Sequence, residues 1–82
     1  MVLTAREFDL LDFFLSNTGM VCSRRQLLDG VWGQGWFGEE RTVDVHVRRL
    51  REQIEVKADE PVFLATVRGF GYRFEASTPE ST

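Results

Sequence analysis

Apolar side chains near the start of the chain recur every three or four residues, which predicts a helix with one buried face. The recurring positions are Phe8, Leu11, Phe14 and Leu15. A capping box, TARE, joins Thr4 to Glu7 at the start of this helix, and Gly19 can end it in a left-handed conformation. We predict a first helix at about residues 5 to 17.

A second helix follows a short apolar link at residues 20 to 22. Ser23 and Gln26 form another capping box at its start. Its apolar positions are Leu27, Leu28, Val31 and Trp32. Residues 33 to 38, GQGWFG, contain three glycines, so a helix would continue through them only at considerable cost and a loop is predicted.

The stretch RTVDVHVRRLR begins a third helix, predicted at about residues 41 to 55. Spacings of four, three and four place one buried stripe on this helix, formed by Val43, Val47, Leu50 and Ile54. The opposite side carries Arg41, Val45, Arg48 and Arg49. The helix therefore separates a core face from a positively charged outer face.

The last part of the chain has the composition of a β-hairpin. Residues 62 to 67 and 72 to 74 are rich in strand-forming side chains and flank RGFG, whose glycines permit a tight turn with Arg68 near its tip. We predict a hairpin at about residues 63 to 74. Residues 77 to 82 are weakly hydrophobic and predict a flexible tail after a single domain at residues 1 to 76.

Composition excludes several classes of protein. No apolar run approaches the roughly 20 residues that span a bilayer, and the N-terminus lacks a signal-peptide pattern, so we expect a cytoplasmic protein away from the membrane. A single cysteine and a single histidine offer no disulfide framework or metal site. No convergent catalytic groups or phosphate-binding glycine loop are present, so neither an enzyme nor a cofactor is expected.

Charge is distributed unevenly along the chain, whose formal net charge is -3. Residues 41 to 73 carry seven basic groups, six of them arginines, against five acidic ones. The arginine side chain is a planar fork that suits phosphate and guanine. The acidic total disfavours indiscriminate binding to polyanions but is compatible with a local basic face.

Two short helices, an arginine-faced third helix and an arginine-tipped hairpin are the parts of a winged helix-turn-helix. Four stretches, LTAREFDLLDFFL, SRRQLLDGVWG, RTVDVHVRRLR and TVRGFGYRF, resemble the signatures of the OmpR/PhoB-type response-regulator effector domain over residues 3 to 75. The resemblance implies an α+β, winged-helix transcription regulator that binds double-stranded DNA, commonly as a homodimer on direct repeats. In this family a receiver domain normally supplies the signal.

The resemblance also implies a small antiparallel sheet before the first helix, of which only Val2 and Leu3 could remain. That sheet would normally cover one side of the helices. We therefore expect exposed apolar surface that promotes self-association or the exchange of elements between chains.

The resemblance assigns DNA contacts on the third helix to Arg48 and Arg49, which match positions that meet phosphates and base edges. Both could instead belong to a solvated face, because Asp44 and Glu52 lie four residues from Arg48. Arg41 and Thr42 begin the helix, where a side chain and free backbone donors could meet a phosphate or simply cap the helix.

Several further positions each keep an alternative. Val45 could contact a thymine methyl group or be an isolated exposed valine. Arg51 could contact DNA or pair with Glu55. His46, at the margin of the buried stripe, is predicted to be packed and hydrogen-bonded. Trp32 is expected in the core with its edge near a phosphate.

The resemblance places wing contacts at Thr66, Arg68 and Tyr72. Arg68 matches an arginine that enters the minor groove, with an exposed turn residue as the alternative. Thr66 and Tyr72 match positions that touch the DNA backbone, although Tyr72 could bury its ring against the helices. Phe70 is expected to stabilise the hairpin, with a wedge between bases as the alternative.

The loop GQGWFGEE lies where the family contacts RNA polymerase, so Gln34, Trp36 and Phe37 are candidates for that contact. Both aromatic rings could also fold back onto the domain. The rival function is a winged-helix protein-interaction module that uses the arginine face and the aromatic loop 33–38.

Overall fold

The computed structural model describes residues 2–34, 36 and 38–75. In chain order the elements are helix α1 (Ala5–Ser16), strand β1 (Val21–Ser23), helix α2 (Arg24–Leu27) with a π-helical continuation (Leu28–Trp32), helix α3 (Arg41–Ile54), and strands β2 (Leu64–Val67) and β3 (Gly71–Phe74). Three helices and a three-stranded antiparallel sheet form the α+β winged helix-turn-helix that the sequence predicts. The predicted tail at residues 77–82 lies outside the described residues.

Helix α1 begins at its predicted capping box. The Glu7 amide donates to the Thr4 hydroxyl at 3.2 Å, and the Thr4 amide donates to a Glu7 carboxylate oxygen at 3.1 Å. These bonds satisfy two amides that a helix start leaves without partners. The helix ends at Ser16, one residue before the predicted end.

The predicted buried face of α1 is wrong in part. Leu10 and Phe14 are fully buried, whereas Phe8 and Leu15 are 59% and 51% exposed. At about 100° per residue, Phe8 and Leu15 lie roughly 100° to 120° around the helix from Phe14, so they fall at the edges of the contact with the core. Apolar spacing alone predicted where the helix lies in the sequence, but it placed the centre of the buried face incorrectly.

The second helix also starts at its capping box. The Gln26 amide donates to the Ser23 hydroxyl at 3.0 Å, and the Ser23 amide donates to the Gln26 side-chain oxygen at 2.7 Å. Beyond Leu27 the helix widens into a π-helical turn, which closes where the Gly33 amide donates to the Leu28 carbonyl at 2.9 Å.

Residues 21–23 form a strand, so the predicted apolar link at residues 20 to 22 is wrong. Strand β1 pairs with β3 in antiparallel register, Val21 opposite Arg73 and Ser23 opposite Gly71, which gives the sheet order β1-β3-β2. A Cβ atom on Gly71 would lie 2.0 Å from the Cys22 carbonyl oxygen. Only glycine at position 71 therefore lets β1 approach the wing.

Helix α3 packs with the predicted phase. Val43, Val47 and Leu50 are fully buried and Ile54 is partly buried. They join one core with residues of α1, α2 and the sheet: Leu10, Phe14, Cys22, Leu27, Leu28, Leu64, Tyr72 and Phe74. The described part of the chain contains no helix that is long and apolar enough to cross a membrane.

Candidate nucleic-acid interface

The outer face of α3 is exposed as predicted. Arg41, Arg48 and Arg49 are exposed, and Val45 between them is 46% exposed. The buried stripe holds the opposite side of the helix against the core. This packing fixes the direction in which the three guanidinium groups leave the protein surface.

No carboxylate among the described residues lies within 4.0 Å of the Arg48 or Arg49 guanidinium. The ion pairs of Arg48 with Asp44 or Glu52, which would have supported a solvated face, are not found among the described residues. Asp44, one of the two candidates four residues from Arg48, instead accepts hydrogen bonds from Arg24 and Tyr72. Arg48 and Arg49 therefore carry positive charge that no ion pair within the described residues offsets.

The backbone at the start of α3 offers fewer free amide donors than the sequence indicated. The Thr42 amide donates to the Glu39 carbonyl at 3.0 Å, and the Val43 amide donates to the Glu40 carbonyl at 3.0 Å. The prediction of a free backbone donor at Thr42 is therefore wrong. The Thr42 and Val43 amides are thus already bonded, and at Thr42 an incoming phosphate could meet the side chain but not the backbone amide.

The wing presents Arg68 at its tip. Strands β2 and β3 pair from Leu64 opposite Phe74 to Val67 opposite Gly71. The Phe70 amide donates to the Val67 carbonyl at 2.9 Å, and Gly69 has φ of 77°, which the third position of a type II turn requires. Arg68 occupies the second turn position and is exposed.

One carboxylate oxygen links the two helices of the helix-turn-helix to the wing. Asp44 Oδ1 accepts from Arg24 Nε at 2.8 Å and from the Tyr72 hydroxyl at 2.5 Å. Tyr72 is only 5% exposed, so the predicted alternative, a ring buried against the helices, is the arrangement found. Its hydroxyl donates to Asp44, so Tyr72 links β3 to α3 and exposes little of its side chain.

Arg51 braces the same wing from α3. Its guanidinium donates to the Leu64 carbonyl from Nε at 3.1 Å and from Nη2 at 2.8 Å, and Nη2 also donates to the Thr66 hydroxyl at 2.8 Å. Its central carbon lies 5.5 Å from the Tyr72 ring centroid. The predicted alternative of an Arg51–Glu55 pair is wrong, because Glu55 accepts hydrogen bonds from backbone amides of residues 62 to 64.

Burial raises the pKa of Tyr72 to about 12, and its hydrogen bond to Asp44 contributes in the same direction. The hydroxyl therefore keeps its proton and remains a donor at neutral pH. The hydrogen bond to Asp44 is also the largest cause that raises the pKa of Arg24 above its ordinary value.

The loop between the second and third helices folds partly onto the domain. The Trp36 ring lies 6.0 Å from that of Trp32, and the Arg25 guanidinium donates to the Trp36 carbonyl at 3.4 Å. Gln34 is exposed. Phe37, the third predicted contact of this loop, lies outside the described residues.

His46 is packed and hydrogen-bonded, as predicted. Its Nδ1 lies 2.9 Å from the Thr42 carbonyl oxygen, and its ring meets Trp32 edge to face at 5.1 Å between centroids. Because a carbonyl only accepts, Nδ1 carries the proton. Trp32 is partly buried against the core, and the Arg6 guanidinium covers it at 5.0 Å from the centroid.

The model of one protein family matches residues 1–74, and its description is "Transcriptional regulatory protein, C terminal". The chain belongs to this family. It is also 49% identical over 76 residues to the sensory transduction protein RegX3 of Mycobacterium leprae. That match covers 93% of this chain but only 38% of RegX3, so the chain corresponds to about a third of this longer relative.

Solved structures agree with the family match. The response regulator DrrB of Thermotoga maritima, described as an OmpR/PhoB homologue, superposes with a TM-score of 0.83 at 33% identity, covering 92% of this chain and 34% of DrrB. The DNA-binding domain of Klebsiella pneumoniae RstA, solved in complex with the RstA box, superposes with a TM-score of 0.79 at 35% identity, covering 90% and 73%.

These matches confirm the OmpR/PhoB-type effector domain indicated by the four sequence stretches. The family consists of DNA-binding domains of transcription regulators and not of enzymes. The chain therefore belongs with the C-terminal effector domains of transcriptional regulators, and the solved RstA domain of this kind is a DNA-binding domain.

Sequence reasoning missed the role of Arg24 and Asp44 in this effector domain. Their contact joins residues 20 positions apart, and the contact of Asp44 with Tyr72 spans 28 positions. The one available signal was Asp44 itself, an acidic residue in the first turn of a helix otherwise rich in arginine.

Proposed function

We propose that this domain binds double-stranded DNA with the outer face of α3 in the major groove and with Arg68 in the adjacent minor groove. The observation that carries the proposal is the exposed cluster of Arg41, Arg48 and Arg49, which no ion pair among the described residues neutralises. A helix of this width fits the major groove, where arginine forms two hydrogen bonds with guanine.

Each residue of the outer face has a proposed role. Arg49 reads a base edge, Arg48 and Arg41 hold phosphates, and the Val45 side chain contacts a thymine methyl group. The Thr42 side chain supports the phosphate contact at the helix start. Val45 is apolar yet 46% exposed beside the arginines, which supports a contact with an apolar group of the DNA.

In the wing, Arg68 is the proposed groove contact, because negative potential is strongest in narrow minor grooves and the guanidinium is displayed at the turn. Thr66 is exposed and can still approach the DNA backbone while its hydroxyl accepts from Arg51. Arg51 of α3 donates to β2, and Tyr72 of β3 donates to Asp44 and is 5% exposed, so we assign both to the support of the wing and not to direct contact with DNA.

The wider setting of the domain is also a proposal. We propose that the domain belongs to a two-component response regulator of the cytoplasm that acts as a homodimer on repeated sites. The likeness to the response regulator DrrB supports the place in a response regulator. We further propose that the loop with Gln34, Trp36 and Phe37 contacts RNA polymerase. The rival protein-interaction module is less favoured, because the exposed arginines on α3 and at the wing tip suit adjacent grooves of a duplex, which an acidic protein surface would not require.

Salt dependence tests the proposal. Fluorescence anisotropy on duplexes selected from a random-sequence pool should give an affinity that falls with salt, with a log–log slope of about -4 to -6 for five or six neutralised phosphates. Lys57→Ala removes a cation outside both proposed contact elements and should leave this slope unchanged. Absence of binding to any duplex, or binding that is insensitive to salt, would reject the proposed interface.

A further inference from the structure

Three elements of the fold meet at Asp44 Oδ1. Arg24 belongs to α2, Tyr72 belongs to β3, and Asp44 lies in the first turn of α3. The two hydrogen bonds to this oxygen are 2.8 Å and 2.5 Å long. Asp44 thus connects β3 and α2 directly to the first turn of α3.

A stabilising role alone is a weak explanation for Asp44. The side chains of Arg24 and Asp44 are 33% and 39% exposed, and partly exposed ion pairs contribute little to the free energy of unfolding. A carboxylate beside the outer face of α3 would also repel DNA phosphates. The feature that distinguishes Asp44 is the geometry it imposes on its two partners.

Arg51 supplies a second attachment between α3 and the wing. It lies seven residues after Asp44, which is about 10 Å along a helix, and it donates to Leu64 and Thr66 of β2. The Tyr72 ring lies 5.5 Å from the Arg51 guanidinium and 5.9 Å from that of Arg24. Two separate points of attachment restrict rotation of the wing as well as its distance from α3.

We propose that the Tyr72–Asp44 hydrogen bond, braced by Arg24, is a positioning device that holds the wing so that Arg68 and the arginines of α3 engage one duplex together. This inference rests on the proposed DNA contact of Arg68. Asp44 and Tyr72 act through Arg68 and are positioning residues.

The physical consequence is cooperation between the two contacts. A wing that is held in place loses little freedom when Arg68 enters its groove, so binding by α3 raises the effective concentration of Arg68 at the DNA. Without the hydrogen bond β3 is held less firmly against α3 at Tyr72, although the bonds from Arg51 to β2 remain. Arg68 should then contribute less to affinity although its own side chain is unchanged.

A double-mutant cycle tests this coupling. The probe is the tightest-binding duplex that the chain itself selects from a random-sequence pool, and affinity is measured by fluorescence anisotropy. Arg68→Ala should weaken binding by about tenfold in the wild-type chain. In a Tyr72→Phe background, which keeps the ring and removes the hydroxyl, the same change should weaken binding by about twofold or less.

Two further variants distinguish a loss of the coupling from a folding defect. Asp44→Ala removes the acceptor and leaves the Tyr72 ring in place, so it should reduce the Arg68 effect in the same way. Glu75→Gln is the matched control, because it breaks an ion pair with Arg73 at the end of the wing without touching α3. It should preserve the tenfold effect. Thermal unfolding monitored by circular dichroism establishes that each variant is folded.

The outcomes separate the coupling from the DNA contact it requires. An Arg68→Ala effect of equal size in the wild-type, Tyr72→Phe and Asp44→Ala chains would overturn the positioning role and leave the wing contact intact. No effect of Arg68→Ala in the wild-type chain would reject the wing contact and the coupling together.

Discussion

At the scale of single residues, Tyr72 shows how burial changes the chemistry of a side chain. It is 5% exposed and its hydroxyl donates to Asp44, and together these raise its pKa to about 12. A group whose pKa rises on folding binds its proton more tightly in the folded state. Its contribution to stability is full below its unfolded pKa of about 10 and is lost as pH rises through about 12.

An alkaline titration can check this directly, because Tyr72 is the one tyrosine of the chain. Tyrosinate absorbance should show a midpoint near 12 in the folded protein, and Asp44→Ala should lower that midpoint while burial keeps it above 10. A midpoint near 10 in a chain that circular dichroism shows to be folded would mean that the hydroxyl is neither buried nor bonded to Asp44.

At the scale of elements, Glu55 controls how α3 connects to the wing. Its carboxylate is buried and accepts from the amides of Val62 at 2.8 Å, Phe63 at 3.0 Å and Leu64 at 2.7 Å. The Leu64 amide thus donates to Glu55, at the end of α3, and the Leu64 carbonyl accepts from Arg51, within α3. This part of the β2 edge is therefore closed to pairing with another strand.

Glu55→Gln should lower the free energy of unfolding by about 1 to 3 kcal/mol, because one acceptor oxygen is replaced by an amide NH2 group, a donor that faces backbone donors. Urea denaturation measures the change. Glu52→Gln alters an exposed carboxylate three residues earlier, in the last turn of α3, and should stay within about 0.5 kcal/mol of the wild type. Equal effects of the two substitutions would show that the buried hydrogen bonds of Glu55 do not stabilise the fold.

The elements differ in how far the sequence could predict them. Helix α3 is 14 residues long, so its stripe of Val43, Val47 and Leu50 repeats often enough to fix its phase. Strand β1 has three residues and exists through pairing with β3, so no local pattern could reveal it. Partners of Asp44 and Arg51 were unpredictable for a related reason, since several oppositely charged or polar groups were available and only the tertiary fold selects among them.

At the scale of the whole molecule, apolar surface remains exposed on one side of α1. Leu15 borders a groove of about 240 Å³ that it lines together with Leu11, Ile54, Phe63 and Phe74. Phe8, at 59% exposure, adds to the apolar surface of the same helix. The expectation that such surface promotes self-association or exchange of elements between chains stays a prediction.

The molecule as a whole is acidic, with a formal net charge of -3, although its proposed DNA surface is basic. Net negative charge disfavours adhesion to nucleic acid away from α3 and the wing. The affinity for DNA should therefore depend on a few arginines. Their selectivity for a base sequence should depend on the one arginine that contacts a base. This arrangement predicts different consequences for Arg48 and Arg49.

The DNA affinity of Arg49→Ala, measured by fluorescence anisotropy on duplexes that differ at single base pairs, tests most directly whether α3 reads DNA sequence. Arg49→Ala should cost about 1 to 3 kcal/mol on the preferred duplex and abolish discrimination at one base pair. Arg48→Ala, the matched control, should weaken all duplexes alike. If both variants instead cause equal small losses with every base preference intact, the outer face of α3 is solvated surface and does not read DNA.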